Sequence, residues 1–186
     1  MKVLTILIIA VSLPLTVVAE ETLRFENLNA RIGLTDTGIS FLGRAFNLAV
    51  SSDIYRVTPE IEIVAGLNYW SKGKSYDLWG TVSTAEVSVR TFSIEGLAKY
   101  NFATVGDRFR PFAAGGLALH FIEATGEVVG PYAASESAGT TKLGLDVCGG
   151  AEYALQGAFD LVGEIKFVTI EGDLRSSFQV GAIYKF

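Results

Sequence analysis

The chain has 186 residues, 49 % of them apolar, with 20 glycines, one cysteine and one histidine. A formal net charge of −5, spread along the chain, argues against nucleic-acid binding, which wants a basic face. One thiol cannot form an internal disulfide, and one His with one Cys argues against a dedicated transition-metal site.

Met1-Lys2, an almost unbroken apolar run from Val3 to Val18, and then Ala19-Glu20-Glu21 have the layout of a secretory signal peptide. Cleavage is expected after Ala19, although Val17 stands where a small residue is usual. The alternative is an uncleaved anchor, but Pro14 interrupts a run already short for a span. No cysteine follows the run, so no lipoprotein anchor is expected. Residues 20–186 then form one domain. No later segment reaches the ~18 consecutive apolar residues of a spanning helix, and no apolar stripe of period 3.6 persists.

The rest alternates with period two, the mark of strands with unlike faces. Eight strands are predicted, as an all-β, up-and-down antiparallel barrel. The first, about Leu23–Leu34, turns Leu28, Ala30, Ile32 and Leu34 outward and Arg31 inward. The second, about Phe41–Tyr55, turns Leu42, Phe46, Leu48 and Val50 outward. The third, Glu60–Trp70, sets Ile61, Ile63, Ala65, Leu67 and Tyr69 against Glu60 and Glu62. The fourth, about Val87–Tyr100, puts Phe92, Ile94 and Tyr100 outside and Glu95 and Lys99 inside. Val87 and Val89 fall on its inner phase, which implies a bulge or a strand that continues beyond the bilayer.

The fifth strand, Pro111–Ile122, turns Leu117, Leu119 and Phe121 out and His120 in. The sixth, Lys142–Leu155, sets Leu143, Leu145 and Val147 against Lys142, Asp146, Cys148 and Glu152. The seventh, Phe159–Thr169, sets Leu161, Ile165 and Phe167 against Asp160, Glu164 and Lys166. The eighth, Ser177–Phe186, turns Phe178, Val180, Ala182, Tyr184 and Phe186 to one side and Lys185 to the other, with Ile183 the exception. About ten residues suit a strand tilted across the hydrocarbon. None of the four prolines interrupts a strand interior, where one would remove a ladder hydrogen bond.

Connections after the second, fourth and sixth strands are mostly short, whereas Ser71–Glu86 and Glu123–Thr141 are long. Short periplasmic turns with long outer loops are the outer-membrane pattern. Tyr55, Tyr100, Phe102, Phe109, Tyr153, Phe159, Tyr184 and Phe186 are expected in a periplasmic aromatic girdle. Phe41, Tyr69, Trp70, Phe121, Phe167 and Phe178 are expected in an outer one.

The last residues carry a family resemblance. Gln179, Gly181, Tyr184 and Phe186 fill the polar, Gly, aromatic and aromatic positions of the C-terminal signal of bacterial outer-membrane barrels. Leu97–Phe102 followed by Arg110–Gly116 resembles a strand end, turn and Gly-rich strand of the same group. The chain is similar to the small eight-stranded OmpA/OmpX-like and opacity-type barrels. That resemblance implies an outer-membrane location, recognition of the closing strand by the barrel-assembly machinery, and contact with lipid and lipopolysaccharide. It implies a monomer without cofactor, and no periplasmic domain is expected after the last strand.

Arg31, Glu60, Glu62, Glu95, Lys99, Lys142, Asp146, Glu152, Glu164, Lys166 and Lys185 are the expected lumen charges. Paired carboxylates can serve as acid and base, but charges of both signs facing one interior fit an ion-pair plug better. The outer-membrane lipid A deacylases, similar in fold, use a His with a nearby Ser; His120-Phe121-Ile122-Glu123 lacks a Ser two residues on, so no enzyme is expected. Gly115-Gly116 and Gly149-Gly150 lie within strand patterns and are not phosphate loops. The long loops, with Tyr76, Trp79 and Tyr132, are the expected partner-contact surface, the partner itself unknown. The leading expectation is a structural or surface-interaction protein. A narrow pore or carrier for small or apolar solutes is the alternative, and a soluble ligand-binding barrel the third reading.

Overall fold

A computed structural model describes residues 25–77, 84–106, 108–129 and 133–186. The predicted signal peptide, residues 1–19, lies outside the described residues, as do Trp79 and Tyr132. The described chain is eight antiparallel strands: β1 (Asn27–Asp36), β2 (Arg44–Arg56), β3 (Ile61–Asp77), β4 (Thr84–Asn101), β5 (Phe109–Val129), β6 (Ala134–Ala154), β7 (Phe159–Ile170) and β8 (Asp173–Lys185). Each pairs with the next, and β8 returns to β1, from Asn27 against Lys185 to Thr35 against Ser177. Closure leaves the barrel without an edge, the condition for a sheet to sit in hydrocarbon. No described helix is long and apolar enough to cross a membrane.

The wall is inverted relative to a soluble domain. Ile32, Leu48, Leu67, Ile94, Leu119, Leu145, Ile165 and Val180 are exposed on the outside. Arg31, Glu62, Glu95, Lys99, Asp146, Glu152, Glu164 and Lys166 are buried inside. This alternation follows the predicted phase in all eight strands. Ile183, the odd residue of β8, is buried in the interior as well.

Several expectations need correction. Leu42 does not face lipid: β2 begins only at Arg44, and Leu42 lies in the turn before it, buried with Ala45, Trp70 and Val89. Trp70 belongs to that inner cluster and not to the outer girdle. Tyr69 and Trp70 are consecutive, so only one can face lipid, and Tyr69 does. Phe41 precedes β2 and packs edge-on against Tyr76. Of the two readings of Val87 and Val89, the continuing strand holds and the bulge does not, because β3 and β4 stay in unbroken register from Ile61–Tyr100 to Asp77–Thr84. The register shift lies in β2, between Asp53 and Tyr55.

The largest correction concerns the outer connections. Most of Ser71–Glu86 and Glu123–Thr141 is ladder, not loop. β3 runs on to Asp77, and β5 and β6 run 21 residues each. β4 and β5 stay paired out to Thr84 and Val129. β2 leaves β3 at Trp70, however, and β7 leaves β6 at Gly144. Beyond those points a four-stranded sheet stands clear of the barrel. At the same rim β7 and β8 join through Glu171-Gly172, both with positive φ (52° and 93°), as a two-residue hairpin demands.

Glycine in the wall has a steric role at Gly116, where a Cβ would collide with the backbone of Gly96 and Leu97 on β4. At Gly126, in the protruding sheet, it would meet nothing. Gly116→Val is expected to lower unfolding stability by about 2 kcal/mol or more, measured by urea titration in lipid vesicles. Gly126→Val should stay within about 0.5 kcal/mol of the parent. Equal effects would contradict the packing described.

Candidate functional site

Two regions carry the polar chemistry: the lumen and the protruding sheet. The lumen is layered, and the layers follow the order of inward residues along each strand. At the mouth with the short turns, the one expected to be periplasmic, Lys99 Nζ lies 2.9 Å from Glu152, 3.1 Å from Glu62 and 3.4 Å from Asp53. Arg56 reaches Glu62 at 3.1 Å and Arg110 pairs with Glu152. Asn101 donates to Glu62 at 2.8 Å, and Asn27 donates to Asp53. Lys185 pairs with Asp160 at the rim.

Two residues farther along the strands the interior turns apolar. Val64, Leu97, Phe112, Ala114, Cys148, Val162 and Ile183 form one cluster, contributed by six of the strands. The Lys99 ammonium stands 5.6 Å from the Phe112 ring centre, over this layer.

Beyond it lies a second charge cluster. Arg31 Nη1 contacts Glu164 at 2.5 Å, and its Nη2 donates to Ser51 at 3.2 Å. Lys166 contacts Glu95 at 2.5 Å and stands 3.8 Å from Asp146. Ser93 Oγ is in hydrogen-bond contact with His120 Nδ1 at 2.8 Å, and His120 Nε2 is 3.9 Å from Asp146. Toward the outer mouth the interior turns apolar again: Leu42, Ala45, Trp70 and Val89 close over this cluster, with Ile39 and Ile122 against them.

The expected lumen charges thus separate. Arg31, Glu95, Asp146, Glu164 and Lys166 meet in the middle, and Glu62, Lys99 and Glu152 meet at the periplasmic mouth. Glu60 is no part of the interior: it is exposed in the turn before β3, its backbone N–H bonded to Thr58. Lys142 sits at the outer rim on Glu171, at 2.6 Å, and Lys185 at the opposite rim. Asp53, Asp160 and Arg110 join the network without having been singled out. Asp53 and Asp160 both stood on the inward phase of their strands, the β2 register shift falling only after Asp53.

Ser93 is directly opposite His120 on β4 and β5, so Ser, His and Asp adjoin across three strands. A search along one strand cannot find this set, because register creates it. Its members are almost wholly buried, between the charge cluster and the apolar cap. The cavity there, lined also by Asn47, Thr91 and Arg175, is about 30 Å³, room for about one water. Only Ser93 and His120 are hydrogen-bonded, while Asp146 stands beyond hydrogen-bond reach of the imidazole, and there is no room for a substrate. Among the described residues no group of three metal-ligating side chains converges.

The protruding sheet has two unlike faces. On its outer face the cross-strand rows read Ser71, Arg90, Glu123, Gly139; then Gly73, Ser88, Thr125, Ser137; then Ser75, Glu86, Glu127, Ser135. On the face that continues the lumen they read Lys72, Val89, Ala124, Ala138; then Lys74, Val87, Gly126, Glu136; then Tyr76, Ala85, Val128, Ala134. One face is polar and the other mainly small and apolar, with lysines at the β3 edge. Tyr76, of the three loop aromatics, is half-exposed there, under Phe41 and with the Lys74 ammonium 5.3 Å from its ring centre.

The closing strand brings Gln179, Gly181, Tyr184 and Phe186 to different places. Gln179 is wholly buried, Gly181 packs on the β1 backbone at Ala30, and Tyr184 and Phe186 meet edge-to-face at the short-turn end, their ring centres 5.5 Å apart.

A family model described as outer membrane protein beta-barrel domain matches residues 5–186. Among solved structures, the Neisserial surface protein A barrel is similar at a TM-score of 0.56 and 18 % identity, over 87 % of this chain and 96 % of that one. The N-terminal barrel domain of Pseudomonas aeruginosa OprF is similar at 0.55 and 14 %, over 87 % and 98 %. Ail, the attachment invasion locus protein of Yersinia pestis, is similar at 0.51 and 14 %, over 88 % and 100 %. No curated protein sequence matches the chain.

Breaking a buried pair costs more than removing it, because the remaining charge is uncompensated. Arg31→Met is expected to destabilise the barrel by about 3–5 kcal/mol. The double variant Arg31→Met with Glu164→Leu should recover much of that loss in urea unfolding. Additive losses would show that the two residues do not depend on each other.

Proposed function

The chain belongs to the outer membrane protein β-barrel family, and from that membership we propose that it is a surface-interaction protein acting through its outer hairpins. The observation that carries this reading is the four-stranded sheet that leaves the barrel at Trp70 and Gly144. It displays side chains on two faces and is held by continuous ladder, so its surface is organised before any partner arrives. Such preorganisation lowers the ordering cost of binding. Ail carries attachment in its name, and the likeness to it is one of fold.

The pore or carrier reading has less support. Two charge clusters, each internally paired, alternate with two apolar clusters along the axis. A solute would have to displace both kinds of packing. The lipid-modifying reading has less still, since the one Ser–His contact is turned into the lumen, away from lipid.

The hairpins are expected to be dispensable for the barrel and necessary for contact. Joining Gly73 to Ser88 and Thr125 to Ser137 by two-residue turns keeps the wall, because each is a cross-strand pair. In the outer-membrane fraction this variant should keep the heat-dependent gel shift of a folded barrel. Expressing cells should lose attachment to host-cell monolayers, down to the level of cells without the protein. Undiminished attachment would overturn the surface-interaction reading. In planar bilayers the parent barrel should give no stepwise conductance at neutral pH, and regular steps would favour the pore.

A further inference from the structure

The inward face of the protruding sheet has a composition that its outer face lacks. Val87, Ala85 and Val128 are half-buried at its centre, in register on neighbouring strands. They continue the phase of Val89 and Ile122, which cap the lumen below. They lie outside the cluster that Leu42 and Ile39 close. At the β3 edge of the same face stand Lys72 and Lys74. Lys74 donates to the Phe41 carbonyl at 3.2 Å. Lys72 is half-buried with no ionic or hydrogen-bond partner among the described residues.

We propose that this face is a binding site for an anionic amphiphile, with the apolar chain along Val87, Ala85 and Val128 and the anionic head on Lys72 and Lys74. Three properties select that class. The central residues are small or β-branched, which makes a shelf and not a set of pockets for side chains. The shelf spans four strands, about 14 Å at ordinary strand spacing, room for a medium-length chain lying across it. The cations lie along one edge, with Glu136 at the other, so charge fixes which way the amphiphile lies. A half-buried, unpaired ammonium gains more from an anion than a fully solvated one. The assignment rests on the surface-interaction reading only in requiring that the sheet stand outside the membrane.

The test uses the full barrel in lipid nanodiscs, titrated with octyl sulfate below its micelle concentration and, separately, with octyltrimethylammonium. Backbone amide shifts report the site. Saturable shifts at Val87, Gly126 and Val128 are expected with octyl sulfate, and binding about tenfold weaker or worse with the cationic probe. K72Q with K74Q should weaken octyl sulfate binding about tenfold and leave the cationic probe unaffected. V87S should weaken both. Absence of saturable shifts, equal affinity for the two head groups, or indifference to the lysine variants would each overturn the proposal. Shifts that follow protein concentration without amphiphile would assign the face to a second copy of the chain, and overturn it too. Loss of the amphiphile site leaves the attachment experiment intact, so the two ideas fail separately.

Discussion

The constraint on which everything else depends is that hydrocarbon offers no hydrogen bonds. Every backbone group in the membrane must be met by the protein itself, and the pairing of β8 with β1 does this for a sheet. Closure fixes the rest. Alternate residues must face lipid, so the outside is Leu, Ile, Val and Phe. The residues between them face one another across a narrow lumen, where any charge must find an opposite charge. The same period that makes the exterior oily makes the interior ionic.

The lumen answers that demand in layers. Lys99 draws together Asp53, Glu62 and Glu152, carboxylates from three other strands, while Arg31 and Lys166 each tie a partner on a distant strand. All but Lys99–Glu62 join strands that are not paired with each other, so they brace the wall as well as neutralise it. The apolar clusters between and above them exclude water and strengthen each ion pair by lowering its local dielectric. Above the outer cap the chemistry changes. Once β2 and β7 have turned away, the remaining four strands no longer enclose anything, and their inward face is left apolar with lysines at one margin. That change marks the boundary between the part built to persist and the part available for contact.

Much of this was legible in the sequence because period two is a strong signal over ten residues. Ile61 to Tyr69 and Phe159 to Phe167 could be read residue by residue, and the charges opposite them were found with their phase. The errors have physical causes. The aromatic-girdle rule drew in Trp70, although the phase of its own strand placed it inside. Leu42 lies in a turn, where alternation has no meaning. Ser71 to Glu86 and Glu123 to Thr141 resembled loops because a sheet wetted on its polar face uses Ser, Thr, Gly and Ala, although each stretch is a hairpin paired largely with itself. The Ser93, His120 and Asp146 set was invisible because register pairs Ser93 with His120, and Asp146 approaches from the next strand only through the fold.

The central claim is that the lumen is closed by packed and paired side chains. The protein carries its own probe, because Cys148, its single cysteine, is buried in the apolar layer between the two charge clusters. The most direct measurement is the reaction of Cys148 with a water-soluble maleimide in the native barrel, reconstituted in lipid bilayers at neutral pH. The account predicts no modification until the barrel is unfolded, and then complete modification. Rapid labelling of the folded protein would mean that water and solutes reach the middle of the lumen, and the closed barrel described here would be wrong.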